Sequence, residues 1–166
     1  MEVLASDTAL IDRDYEFLDN PELLVETLEP PNVDINQADT AGLSLLSKIC
    51  ISAYLHPTRN VARIFQLMLD AGADVNARCA DGYSPLRYLA ISFTYEPTED
   101  MPDQPELEDA VWDLFDMLIK AGANPVAAEI ADNPDIAPAI RAYIEAWIIG
   151  GKPPRERTKS RGIRDV

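Results

Sequence analysis

The chain has 166 residues, 47% hydrophobic and 26% charged, which suits one domain with a sizeable core and excludes both a disordered polymer and two ordinary domains. No apolar run approaches the ~20 residues needed to cross a bilayer, which excludes a membrane span. Fourteen Lys and Arg against 29 Asp and Glu give a net charge of -15; six of those bases and two of those acids follow Gly151, so a body of -19 precedes a basic tail.

In chain order, the opening run Met1-Glu2-Val3-Leu4-Ala5-Ser6-Asp7 has neither a basic nor an apolar region of the secretory kind, so no signal is expected. Leu10, Ile11, Tyr15, Phe17 and Leu18 predict a helix, and Asn20-Pro21 opens a second that buries Leu23, Leu24 and Leu28. A helix is predicted from near Ser44 to Leu55, stopping before Pro57, and another from Thr58 to Ala71. The next covers about 85–93. The stretch 95–105 then carries three prolines among clustered acids and is expected as a loop. A helix follows from near Pro105 to Ala121, with Glu106, Glu108 and Asp109 favourably placed near its positive end. Ile136, Ile140, Tyr143, Ile144, Trp147 and Ile148 form an apolar stripe on a last helix over about 134–149. Tyr88 and Trp112 are expected in the core. Cys50 and Cys79 lack the spacing of a metal site or a disulfide framework and are expected as free thiols in a reducing cytoplasm.

The chain also repeats itself. Asn32-Val33-Asp34-Ile35-Asn36, Gly72-Ala73-Asp74-Val75-Asn76 and Gly122-Ala123-Asn124-Pro125-Val126 align, and ten residues after each first position come Gly42, Gly82 and Asp132. Ser44-Leu45-Leu46 and Ser84-Pro85-Leu86 follow the two turn glycines, and Ile136 keeps register with Leu46 and Leu86. Gly72 and Gly122 end apolar helical runs where a left-handed residue is expected, with Asn32 in that place in the first copy. Gly82 supplies the positive φ of a tight turn, and Ser84 caps the following helix with Pro85 at its first position.

The run from Leu69 to Ala77 with Asp81-Gly82-Tyr83-Ser84-Pro85-Leu86 resembles the ankyrin repeat. The resemblance is best over 32–126 and implies an all-α fold, an ankyrin-like helical repeat solenoid with short turn or hairpin connections. The expected organisation is one repeat domain over 1–149 and a basic flexible tail over 150–166. Within the domain, 1–35 is an N-terminal cap repeat, 36–76 and 77–124 are full repeats, and 125–149 is a C-terminal cap helix. The copies depart from the family. Ser47 and Arg87 stand at its histidine position, Leu45 replaces its proline, and Cys79 replaces the aspartate present as Asp39, so hydrogen bonds between adjacent repeats are expected to be lost. Turn glycines lie 40 residues apart and Gly72 lies 50 before Gly122, so the extra length falls in or between helices.

No histidine pair, Cys-x-x-Cys, phosphate loop or nucleophile elbow occurs, and the one histidine, His56, precedes Pro57; no enzyme, metal or cofactor is expected. The resemblance implies partner contacts at turn tips and on the inner helices. Those positions are Thr40, Ala41 and Leu43; Arg78, Ala80, Asp81 and Tyr83; and Ile51, Ile91 and Ser92. Tyr83 is the leading anchor, the alternative being that it covers a neighbouring turn. Glu96, Glu99, Asp100 and Asp103 belong to an acidic insert that either docks a basic groove or is solvated, calcium binding being remote.

The expectation for function is a cytoplasmic, non-enzymatic protein-binding module, with no nucleic-acid contact through its folded body. Its concrete form is an acidic inhibitor, such as an immunity or antitoxin protein, that covers a basic partner. The alternative is a scaffold or effector that recruits a cellular protein while the charge serves solubility. For the tail, a disordered end is preferred over a contact with anionic lipid or nucleic acid.

Overall fold

The computed structural model of the chain describes residues 13–29, 33–56, 58–94, 107–126 and 128–150. The described residues are helical and contain no strand. Their helices are α1 (Asp14–Asp19), α2 (Glu22–Leu28), α3 (Leu45–Ser52), α4 (Thr58–Asp70), α5 (Pro85–Ser92), α6 (Leu107–Lys120) and α7 (Pro138–Gly150), with a 3-10 turn over Ala53–Leu55 after α3.

The helix starts of α3 and α5 have the same cause. The Ser44 and Ser84 hydroxyls accept hydrogen bonds from the Ser47 and Arg87 backbone N–H groups, so each satisfies one donor the helix leaves without a partner. Pro85 fits the first position of α5, where its missing N–H costs nothing. At the other ends of α4 and α6, Gly72 and Gly122 adopt φ of 87° and 107°. The Ala73 and Ala123 N–H groups then reach back to the Met68 and Leu118 carbonyls at 2.9 Å, the bonding that a left-handed glycine permits after a helix.

α3 packs on α5, α4 on α6, and α1 on both α3 and α4, with α2 against α1 and α4. The core follows the spacing of the copies. Leu46, Ile49 and Cys50 on α3 are buried, as are Leu86, Leu89 and Ala90 on α5; Ile64, Phe65 and Met68 on α4 have counterparts in Leu114, Phe115 and Leu118 on α6. Burying side chains of this size contributes roughly 1.5–3 kcal/mol each. Phe17, Leu18 and Leu24 close the N-terminal side, and Tyr88 and Trp112 are partly buried against the core.

The segments joining the copies are held by a bond set that the altered residues leave untouched. In each, an Asp or Asn turns the chain by accepting from the N–H two residues on: Asp34 from Asn36, Asp74 from Asn76, Asn124 from Val126. The Asn36 amide donates to the Gly72 carbonyl at 3.0 Å and accepts from the Asp74 N–H. Asn76 does the same with the Gly122 carbonyl and the Asn124 N–H, both at 2.9 Å. Bonds between copies are therefore present, although a change at the histidine and aspartate positions led to the expectation of their loss. They survive because a different residue makes them.

After Val126 the third copy diverges. The positive φ falls on Glu129, at 55°, rather than on Asp132. α7 begins at Pro138, four residues later than expected, because Asn133 accepts from the Asp135 and Ile136 N–H groups and holds 133–136 in a turn. Ile136 is nevertheless buried in register with Leu46 and Leu86. α7 docks through aromatic and polar contacts: Tyr143 stacks on Trp112 with centroids 4.5 Å apart, and its hydroxyl and the Trp147 indole N–H both donate to the buried Asp116 carboxylate. Ile148, expected on the apolar stripe, is exposed. The first twelve residues and the basic stretch after Gly150 lie outside the described residues.

Candidate protein-binding surface

The turns before α3 and α5 are built alike. Asp39 N–H bonds the Leu43 carbonyl and Gly42 N–H the Asp39 carbonyl; Cys79 with Tyr83 and Gly82 repeats the pair. Gly42 has φ of 78°, and a Cβ there would meet the Ala80 nitrogen at 3.1 Å. That close approach lets the Ala80 N–H donate to the Ala41 carbonyl, tying one turn tip to the next.

The side chain closing each turn differs in chemistry and agrees in geometry. Asp39 accepts from the Ala41 and Leu43 N–H groups at 2.9 Å and faces the Lys48 ammonium at 3.4 Å. Partial burial pushes the Asp39 carboxyl up, but these donors and the Lys48 charge outweigh it and hold it below its ordinary value. In the second copy Cys79 takes the place of the aspartate and Tyr88, nine residues on like Lys48, takes the place of the lysine, with sulfur and hydroxyl 2.6 Å apart. Burial raises the Cys79 thiol, yet the Tyr88 hydroxyl and the Tyr83 and Asp81 N–H groups together bring it below the ordinary thiol value. Tyr88 is driven above the ordinary phenol value by burial first and by its bond to Cys79 second. A thiol and a phenol thus replace an ion pair. Cys50 lies fully buried on α3, and burial raises its thiol.

Between the end of α3 with its 3-10 turn and the α5 side lies an open groove of about 470 Å³. Ile51, Ser52, Tyr54 and Leu55 line it from α3 and the 3-10 turn; Tyr83, Tyr88, Ile91 and Ser92 line it from the α5 side. Four of the positions expected to touch a partner, Ile51, Tyr83, Ile91 and Ser92, come together here. Thr40, Ala41, Arg78, Ala80 and Asp81 are exposed at the turns, and Leu43 is half-buried. Ser92 is buried, and its hydroxyl accepts from the Tyr54 N–H at 3.2 Å, which ties α5 to the 3-10 turn within the groove. Glu96, Glu99, Asp100 and Asp103 lie outside the described residues.

Tyr83 is half-buried and held from two sides, by the Tyr88 ring at 5.6 Å and by the Arg87 guanidinium 3.9 Å over its face. Arg87 in turn pairs with Glu129 at 3.0 Å, which joins α5 to the segment before α7. The more accessible lining residues are Ile51, Tyr54 and Leu55, at 38%, 40% and 51% exposure. Tyr54 and Leu55 were missed in the sequence, although they follow Ile51 at helical three- and four-residue spacing.

A smaller recess of about 160 Å³ among Asn76, Arg78, Ser84, Asn124 and Ala128 has its polar side chains engaged: Asn76 by Gly122 and Asn124, Arg78 by the Gly82 carbonyl, Ser84 by the Arg87 N–H. His56 sits 3.4 Å from Asp19, between α1 and the end of the 3-10 turn. Among the described residues no group of three His, Cys, Asp or Glu is placed to hold a metal, and no helix is long and apolar enough to cross a membrane. No protein-family model matches this chain, and no curated protein matches it.

Proposed function

We propose that this chain is a non-enzymatic protein-binding module, a short stack of ankyrin-like helical repeats, and that it holds a basic partner protein across the groove between α3 and α5. The observation that carries the reading is the grouping of exposed Ile51, Tyr54 and Leu55 with half-buried Tyr83, Tyr88 and Ile91 in one concave surface drawn from two successive copies. Apolar and aromatic side chains at a concave centre supply most of the energy of a protein contact, and the net charge of -15 favours a basic partner through fast encounter. The concrete form is a cytoplasmic acidic inhibitor of the immunity or antitoxin kind, which covers a basic functional surface of its target.

The test is affinity capture at low salt followed by titration of the recovered protein against the wild-type chain and Ile51→Asp. Ile51 is exposed, so the variant retains the fold while placing a carboxylate in the apolar centre; partner affinity should fall at least tenfold. Recovery of no basic protein, or equal affinity of the variant, would sink the reading. The alternative, a scaffold or effector that recruits a cellular protein with the charge serving solubility, differs in its salt response. Raising ionic strength from about 0.05 M to about 0.5 M weakens binding strongly in the first case and little in the second.

A further inference from the structure

We infer that the α3–α5 groove takes a tryptophan side chain carried on a short basic segment of its partner, with the indole N–H donating to the Ser52 hydroxyl. The inference rests on the proposed binding role of the groove and adds what is bound there.

Ser52 ends α3 and lines the groove, yet it is 5% exposed where Ile51 and Leu55 beside it are 38% and 51% exposed. It therefore lies deeper than those apolar side chains. The Thr27 and Thr94 hydroxyls turn back to the carbonyls four residues earlier, Leu23 and Ala90, each at 2.7 Å. The Ser52 hydroxyl, by contrast, has no hydrogen-bond partner among the described residues. Other polar groups of the lining are engaged, Ser92 by the Tyr54 N–H and the Tyr88 hydroxyl by Cys79, while Arg87 covers the Tyr83 ring. Ser52 is thus a buried polar group left for an occupant to satisfy.

A hydroxyl in an open groove bonds water, and an occupant that expels the water without replacing the bond loses affinity. A wholly apolar side chain fails on that count. A lysine or arginine reaching Ser52 would bring its charge into a lining that holds no charged side chain, and a side-chain amide brings more polar atoms than one hydroxyl serves. Indole has a single polar atom, an N–H donor, on a broad apolar ring that suits Ile51, Leu55 and Ile91. Charge then selects the segment that carries it. Lys48 pairs with Asp39 and Arg87 with Glu129, while Asp81 is exposed at the tip two residues before Tyr83. With -15 on the whole chain, lysines or arginines flanking the tryptophan are drawn to the rim and an acidic segment is repelled.

Three fluorescein-labelled hexapeptides test this by anisotropy at low salt with the full chain. The first has leucine-tryptophan between two lysine pairs. The second replaces its tryptophan by benzothienylalanine, which keeps the ring shape with sulfur in place of N–H, and the third replaces the lysines by glutamates. The first should bind at least fivefold more tightly than either of the others. Ser52→Ala should bring the first and second within twofold of each other, with circular dichroism confirming that the variant folds; the comparison of the two rings on the wild-type chain stands without it. Equal binding of the benzothienyl peptide overturns the hydrogen bond, and a preference undiminished in Ser52→Ala overturns the assignment to Ser52. Equal binding of the glutamate peptide overturns the charge selection. Binding of none of the three overturns the tryptophan inference alone, because the broader reading is decided separately by the effect of Ile51→Asp on the captured partner.

Discussion

Replacing Asn76 by Ala removes the bond set that joins the second copy to the third. Its side chain donates to the Gly122 carbonyl and accepts from the Asn124 N–H, both at 2.9 Å, and both groups sit at the exposed end of a helix where water can replace it in part. A net intramolecular hydrogen bond is worth about 0.5–1.5 kcal/mol, so losing two costs about 1–2 kcal/mol, with the low half favoured by exposure. For a chain of this size that lowers Tm by roughly 2–8 °C. Asn36→Ala removes the equivalent pair to Gly72 and Asp74 and should cost a similar amount. Asn76→Asp keeps the acceptor but turns a carboxylate oxygen toward the Gly122 carbonyl, and should destabilise at least as much as Ala. Urea unfolding followed by circular dichroism reads all three. A cost below about 0.5 kcal/mol for Asn76→Ala, or a wild-type stability for Asn76→Asp, would show that packing alone holds the copies together.

Gly42→Ala and Gly82→Ala both force a side chain into left-handed backbone, at about 1–2 kcal/mol, but only Gly42 lies against the next turn, so its variant should be the less stable by a further ~1 kcal/mol; equal Tm values would refute the close-approach argument. Tyr143→Phe removes a donor from the buried Asp116 carboxylate and should cost about 1.5–3 kcal/mol, read by urea unfolding, with earlier proteolytic cleavage in α7; an unchanged midpoint would mean that the aromatic stacking on Trp112 suffices. Asp39 has a lowered folded pKa, so its stabilisation is complete above the ordinary carboxyl value of 3.8 and is lost as pH falls through the folded value. The stability difference between wild type and Asp39→Asn should therefore shrink from about pH 5 to about pH 2, and a constant difference would contradict the assignment.

Local features were legible in the chain because they depend on neighbours within one turn. Ser44 and Ser84 cap as their positions before apolar runs require, the turn glycines take positive φ where the repeat spacing puts them, and the helix limits fall within a few residues of those the prolines and glycines mark. The largest miss in limits is at α7, where Asn133 captures the following N–H groups in a turn and delays the helix, a competition between side chain and helix that apolar spacing does not reveal. The failed expectation about contacts between copies has a similar origin. Family-typical residues were absent at Arg87 and Cys79, while the bonds came from Asn36 and Asn76, present in the aligned segments but without a visible partner until residues 36 to 48 apart met.

What the sequence by itself determined, then, is the periodic framework: all-helical composition, turn positions, capping residues, and the alignment of Ile51 with Ile91 at matching places in successive copies. These follow from short-range sterics and hydrogen bonding, which a linear pattern encodes. Only the tertiary structure decided that Tyr54 and Leu55 join those positions in one groove, that Ser92 faces inward, that Tyr83 is held by Arg87, and that Cys79 with Tyr88 stands in for Asp39 with Lys48. Each depends on which helix face meets its neighbour when α3 packs on α5, and such a choice is settled by the joint packing of distant segments.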